Sequence, residues 1–241
     1  MEIKGFIETS LVDWDGMVSC VLFLPGCNFR CPFCYNHVLV KHAERLETVP
    51  WERVERYLSG KKDWIDGVVV TGGEPTIHQE LKTLLMKIQN LKFKIKIDTN
   101  GYRPEVLEDL FSDNLVNFVA MDIKAPLDNS YSQAAGVEVD IQRIKRSIDL
   151  IMSSNLPYEF RTTVVPGFHT SDSIVKIGQT IAGAQKWALQ QFVPAQADQP
   201  ELRSLKPLPE PELVEMQRLG ASAAGNCIIR GLRQVAEAPP D

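Results

Sequence analysis

The sequence predicts an α/β fold with a parallel sheet of about six strand–helix units, either an open doubly wound sheet or a partial (β/α) barrel. Three observations predict it. Short β-branched runs alternate with amphipathic helical stretches along most of the 241 residues. The links between them are short, which for such alternation means right-handed crossovers into parallel strands. Polar residues gather just after the strands, at the strand ends where ligands collect in parallel α/β folds.

Taken in order, the strand candidates are "MVSCVLF" (17–23), "GVVVT" (67–71), "FKIKID" (93–98), "VNFVAMDIK" (116–124), "YEFRTTVV" (158–165) and "WALQQFV" (187–193). Each is rich in Val, Ile or aromatic residues. Helical segments lie between them at 50–60, 77–90, 103–111, 139–154 and 171–183. Of these, "VDIQRIKRSIDLI" spaces Ile141, Ile144, Ile148 and Ile151 at threes and fours, which makes one buried stripe. Residues 1–200 read as one core domain. The Pro-rich "LKPLPEPELVEM" (205–216) marks a linker, so 201–241 reads as a C-terminal extension packing on the core, with a helix and the strand-like "CIIRG".

Composition narrows the function classes. A net charge of −5 without any basic tract gives no electrostatic footprint for nucleic acid. No apolar run approaches the ~18 residues of a membrane span, and "MEIKGFIETS" lacks a secretory pattern. The expectation is a cytoplasmic protein with reduced thiols, where clustered cysteines mean a metal or redox role rather than disulfides.

Three of the five cysteines fall in "LPGCNFRCPFCYNH", residues 24–37. A continuous helix presenting Cys27, Cys31 and Cys34 on one face is opposed by Pro25, Gly26, Asn28 and Pro32. A zinc site could take the three thiolates and His37 as a tetrahedral set. An iron–sulfur cluster is the third reading. Four-iron clusters normally take four thiolates, so three in one loop would leave one iron open to a substrate or cofactor. Downstream, three further strands end in polar residues: Thr71 to Pro75, Asp98 to Gly101, and Asp122 to Lys124. Four successive strands thus deliver chemistry to one rim.

"CNFRCPFC" resembles the Cys-x3-Cys-x2-Cys signature of the radical S-adenosylmethionine (SAM) superfamily, and "GGEP" (72–75) resembles its glycine–glycine–glutamate motif. The resemblance runs from about residue 3 to 200. Within the superfamily, "KGFIETSLVDWDG", "DTNG", "MDIKA" and "RTTVVPGF" are similar to the activating enzymes of glycyl-radical enzymes, and most of all to the anaerobic ribonucleoside-triphosphate reductase activating group.

The resemblance implies a partial (β/α)6 TIM-like barrel, a 4Fe-4S cluster on Cys27, Cys31 and Cys34, and SAM across the strand tops. It implies reductive cleavage of SAM to a 5′-deoxyadenosyl radical, which takes hydrogen from a glycine of a partner anaerobic ribonucleotide reductase. Flavodoxin or ferredoxin would supply the electron. Phe33 is expected near the adenine, Gly72 and Gly73 under a close backbone approach, and Glu74 on the SAM ammonium. Asp98, Thr99 and Asp122, with the Ala120 carbonyl, are expected around a monovalent cation beside the SAM carboxylate. Lys124 is expected in the same pocket, and Arg161 on that carboxylate. A macromolecular substrate further requires an open lateral mouth in the barrel. Gln196 falls where the pyruvate formate-lyase activating type carries a histidine that touches SAM. His169 is expected at the surface, and Lys94 and Lys96 share strand parity with Asp98. Two rivals stand beside this reading: a radical SAM enzyme acting on a small molecule, as the deazaguanine-forming synthases do, and a zinc-binding interaction module.

Overall fold

A computed structural model describes residues 1–232. One sheet carries the fold. It runs β1 (Gly5–Ser10), β2 (Ser19–Leu24), β3 (Gly67–Gly72), β4 (Lys94–Thr99), β5 (Phe118–Asp122), β6 (Tyr158–Val164), β7 (Trp187–Gln191) and β8 (Cys227–Arg230), paired in chain order. The β1–β2 pair is antiparallel and every later pair is parallel. The six strands expected from sequence are β2 to β7. An antiparallel strand is added at one edge and a parallel one at the other, and β8 does not pair with β1, so the barrel stays open.

The helices are α1 (His37–Lys41), α2 (Trp51–Ser59), α3 (Leu81–Asn90), α4 (Pro104–Ser112), α5 (Asn129–Ala135), α6 (Ile141–Ser153), α7 (Ser171–Thr180), α8 (Pro200–Arg203) and α9 (Glu210–Ala224). In α6, Ile144, Ile148 and Ile151 are buried, and Asp140 caps the helix by accepting from the Gln142 N–H. Helix α9 packs on α7 and leads into β8, so the described part of the 201–241 segment extends both layers of the core. No described helix is long and apolar enough to cross a membrane.

Strand alternation sorts the side chains into two interiors. Cys20, Leu22, Val68, Val70, Ile95, Ile97, Val119, Met121 and Phe160 face the helices in the main apolar core. Their neighbours point into the barrel. Near its floor Trp14, from the β1–β2 loop, packs on Val21 and Val69 and lies 5.8 Å from the Phe118 ring. Higher up the interior turns ionic. Lys96, only 3% exposed, sits between Asp98 (3.5 Å) and Glu159 (3.8 Å), and Arg230 chelates Glu159 at 2.9 and 2.8 Å. This answers the parity question raised by the two lysines: Lys96 has counter-charges on β4 and β6, whereas Lys94, at the strand's start, is exposed.

Asp15 joins the two sides of the open barrel. From the β1–β2 loop it pairs with Lys186, just before β7, and with Arg230 of β8 at 2.6 Å. Its side chain is 53% exposed, so water competes for these contacts. Asp15→Asn is therefore expected to cost less than about 1 kcal/mol in urea unfolding.

Candidate functional site

The site begins with how the cysteine loop is seated. After β2 the chain turns at Pro25 and Gly26 and lies across the tip of β3. There the Gly73 N–H donates to the Leu24 carbonyl and the Glu74 N–H to the Gly26 carbonyl, both at 2.9 Å. This approach leaves no room for side chains. A Cβ on Gly73 would stand 1.7 Å from the Gly26 oxygen, and one on Gly72, at φ +120°, 2.4 Å from the Leu24 backbone. Further along, the Arg30 N–H reaches the Ala135 carbonyl at the end of α5, and Asn36 Nδ2 donates to the Gly72 carbonyl at 2.6 Å.

The far wall comes from the segment after β7. The Val193 N–H donates to the Tyr35 hydroxyl at 2.6 Å, and the Gln199 N–H to the Pro32 carbonyl at 2.9 Å. Lys41 pairs with Asp198, and His37 lies 3.8 Å from the same carboxylate. The cysteine loop is thus gripped from β3, from α5 and from the β7–α8 connection. Between these walls lies a cavity of about 410 Å³, and all twelve candidate residues named from the sequence line it. Gln196 lines it as well.

The three thiols sit in an apolar setting. Burial, reinforced by Glu74, pushes Cys27 up to about 12, and burial pushes Cys31 up to about 11 and raises Cys34. Lys124 pulls all three the other way. Such thiols stay protonated until a metal displaces the proton from the sulfur. Among the described residues, no three His, Cys, Asp or Glu side chains are gathered so as to hold one metal ion.

Glu74 is almost fully buried. Its Oε1 accepts from the Thr76 N–H (3.0 Å), the Thr76 hydroxyl (2.5 Å) and the Thr99 hydroxyl (2.8 Å), and its Oε2 from the Asn100 N–H (2.6 Å). Burial still raises its pKa against those donors. Only Oε2 keeps a lone pair for a further donor. Thr99, expected on a cation, donates its hydroxyl hydrogen to Glu74.

Asp98 and Asp122 stand at the tips of β4 and β5 with Arg161 of β6 between them. The guanidinium donates from Nε to Asp122 at 2.7 Å and from Nη1 to Asp98 at 3.0 Å, and Lys124 reaches Asp122 at 3.0 Å. Burial alone would push the Asp122 carboxyl up, but Arg161 and then Lys124 outweigh it and hold it well below the usual carboxylate range.

Phe33 is buried edge-on against Phe168, 5.5 Å between centroids. Beside it His169 corrects the surface expectation: it is 3% exposed. Its Nδ1 accepts from the Val165 N–H (3.1 Å), so Nε2 carries the proton and donates to the Lys124 carbonyl at 2.9 Å. Burial lowers its pKa despite both contacts. Below pH ~6.5 the unfolded chain therefore binds a proton that the folded one refuses. Stability is full above that pH and is lost as pH falls toward the folded pKa. His169→Gln, which cannot titrate, is expected to flatten the stability–pH slope between pH 7 and 5 by up to ~1.4 kcal/mol per unit, read from urea midpoints.

The sequence pattern of the radical SAM superfamily matches residues 21–176, which include the cysteine loop, the Gly72–Glu74 ledge and the Asp98–Asp122–Arg161 group. The chain belongs to the radical SAM superfamily. It is 33% identical over 233 residues, 95% of each chain, to a Methanocaldococcus jannaschii protein with the provisional name glycyl-radical enzyme activating enzyme. A 7-carboxy-7-deazaguanine synthase of Hyperthermus butylicus is 32% identical over 98 residues, 40% of each chain. Two solved structures share the fold. Streptococcus suis SuiB bound to its precursor peptide has TM-score 0.65 at 17% identity, over 88% of this chain and 48% of that one. A domain of pyruvate-formate lyase-activating enzyme from Bacteroides vulgatus has TM-score 0.55 at 17% identity, over 68% of this chain and 99% of that one.

Membership in the radical SAM superfamily implies a 4Fe-4S cluster and SAM as cofactors, and the residues present fit an anionic cluster. The Asn28 side-chain nitrogen, next to Cys27, is a buried donor without any acceptor, and Lys124 sets positive charge against all three thiols. Sequence reasoning passed over Asn28, Tyr35, Asn36 and Asp198 as parts of the site, and it placed Asn100 on the rim, within "DTNG", without giving it a role. Asn36 was within reach, a polar residue two positions beyond Cys34.

Proposed function

We propose that this protein is a radical SAM activase that installs a glycyl radical on a partner enzyme, an anaerobic ribonucleotide reductase. The observation that carries this reading is the convergence of the three cysteines, the Gly72–Glu74 ledge and the Asp98–Arg161–Asp122 group on one cavity, in a barrel left open at its side. The M. jannaschii relative, similar over 95% of both chains, supports the activase class; the deazaguanine synthase matches only 40% of this chain.

When bound, the cluster and SAM supply a one-electron cleavage that yields methionine and a 5′-deoxyadenosyl radical, which becomes 5′-deoxyadenosine on taking a glycine hydrogen. The chain's own residues then have distinct tasks. Cys27, Cys31 and Cys34 would hold the cluster as thiolates. Gly72 and Gly73 would let backbone lie close to the cofactor, and the free lone pair of Glu74 Oε2 would receive the SAM ammonium. Phe33 would wall the adenine side. Arg161 and Lys124 would supply positive charge for the SAM carboxylate beside Asp98 and Asp122. A monovalent cation beside those two aspartates has a competitor here, because the guanidinium already bridges them at 2.7 and 3.0 Å.

The test is anaerobic incubation of the reduced protein with SAM and candidate anaerobic reductases, using flavodoxin or ferredoxin as donor, followed by electron paramagnetic resonance. A glycyl doublet on the reductase is the expected result. SAM cleavage without a doublet on any candidate would favour the small-molecule reading, and zinc without iron or sulfide would remove the superfamily chemistry altogether.

A further inference from the structure

Cys27 differs from its two companions in what surrounds the sulfur. The Phe29 N–H donates to it at 3.3 Å, and the side-chain nitrogen of Asn100 lies 3.7 Å away, within range for a sulfur acceptor. Which end of the Asn100 amide faces the sulfur is settled independently. Its Oδ1 accepts from the Tyr102 N–H at 3.0 Å, so the opposite end must be the NH₂. One of those two hydrogens goes to Asn28 Oδ1 at 2.8 Å, which leaves the other for Cys27.

Asn100 cannot swing away. It is 5% exposed, and its own backbone N–H is fixed to Glu74 Oε2 at 2.6 Å. Asn28, having spent its oxygen on Asn100, keeps its Nδ2 buried without a partner. Buried donors are rarely left empty, because the desolvation they suffer goes uncompensated. The Asn100 N–H aimed at Cys27 is one such donor, and it is better matched by an acceptor richer in negative charge than a neutral SH.

We propose that Asn100 is a positioning residue for redox tuning: its amide donates to the Cys27 thiolate and raises the reduction potential of the bound cluster. This rests on the reading that Cys27, Cys31 and Cys34 hold that cluster. The direction follows from charge. Reduction adds an electron to sulfur-rich anionic surroundings, and hydrogen bonds to the sulfurs stabilise the more negative state more. The asymmetry also singles out Cys27, the loop cysteine whose sulfur the Asn100 amide reaches, at 3.7 Å.

The test separates the donor from the turn it belongs to. Asn100→Ser keeps an oxygen for the Tyr102 N–H but lacks the amide; Asn100→Leu lacks both. Each variant is reconstituted anaerobically and its iron and sulfide are counted. The cluster midpoint is then measured by a redox titration followed by electron paramagnetic resonance. With iron at the wild-type level, reduction is expected to become about tenfold less favourable in both variants, about 59 mV for a one-electron couple. An unchanged midpoint in both, or a shift in Asn100→Leu alone, overturns the proposal. Should neither variant load iron, wild-type protein grown with asparagine labelled with ¹⁵N in its side chain supplies the answer by pulsed resonance on the reduced cluster. A hyperfine coupling from a side-chain nitrogen is expected, and its absence overturns the proposal. Wild-type protein that binds no iron at all overturns the cluster reading along with it, a result distinguishable from an iron-loaded protein with an unmoved potential.

Discussion

Cys31→Ala is expected to give a folded protein that contains essentially no iron or sulfide after anaerobic reconstitution and cleaves no SAM. Three thiolates are already one fewer than a four-iron cluster normally takes, so removing another leaves two anchors and a second unprotected iron. The fold should hardly notice. Cys31 behaves as a small buried apolar group, 8% exposed, and deleting one sulfur atom costs about 1 kcal/mol by buried-group arithmetic. A parallel variant makes the comparison sharp. Cys20 is fully buried on β2 and faces the helices, away from the cavity. Cys20→Ala should lose comparable stability and keep near four irons and four sulfides per chain. Iron and sulfide assays beside a thermal melt decide the matter. Equal iron in both variants would show that the loop cysteines are not the cluster's anchors.

Much of this arrangement was legible in the chain, and what was not has identifiable physical causes. Strand β3 announces itself as the continuous run "GVVV", packed on both faces, and β2 and β4 to β7 do so by apolar and aromatic residues on at least the helix-facing side. Strand β1, "GFIETS", is an edge strand with exposed residues and carries no such run. Strand β8 (Cys227–Arg230) was legible as the strand-like "CIIRG", but its parallel place beside β7 rests on tertiary contacts that four residues cannot announce. The cysteine loop and the Gly72–Glu74 ledge are local in sequence and therefore readable. The charge pattern inside the barrel is not. That Arg161 lies between Asp98 and Asp122 follows from the β4–β5–β6 registers, in which Asp98 pairs with Ala120 and Asp122 with Arg161. His169 looked like a surface residue because one polar side chain after "VPGF" cannot reveal that its two acceptor and donor partners lie on different strand ends.

Arg161→Leu should be the costliest single change among the charged residues of the cavity, and its cost should depend on pH in a definite way. Leucine fills a similar volume but leaves Asp98 and Asp122 facing each other without the cation between them. Breaking a buried pair by removing one partner costs roughly 3–5 kcal/mol, because the abandoned charge stays desolvated. Lys96 still stands 3.5 Å from Asp98 and Lys124 3.0 Å from Asp122, and Asp122 is 28% exposed. The loss therefore belongs at the lower end, about 3 kcal/mol at neutral pH. The sign of the pH effect follows from Asp122. Its folded pKa lies below that of the unfolded chain, ~3.9 for a free aspartate, so in the wild type its contribution is full above that pH and is lost as the pH falls further. Without Arg161 the Asp122 carboxyl loses the charge that holds its pKa down, and it takes up a proton earlier on acidification. That relieves its repulsion with Asp98. The gap between variant and wild type should accordingly be widest at pH 7 and shrink steadily toward pH 4 in urea unfolding. Arg161→Lys should recover only part of it, since an ammonium is a point charge and cannot bridge two carboxylates held at 2.7 and 3.0 Å by different nitrogens of one planar fork. A gap that stays constant across this range would mean that Arg161 acts through packing alone. In that case the pairing of the two aspartates would contribute nothing to holding the tips of β4, β5 and β6 in place around the cavity.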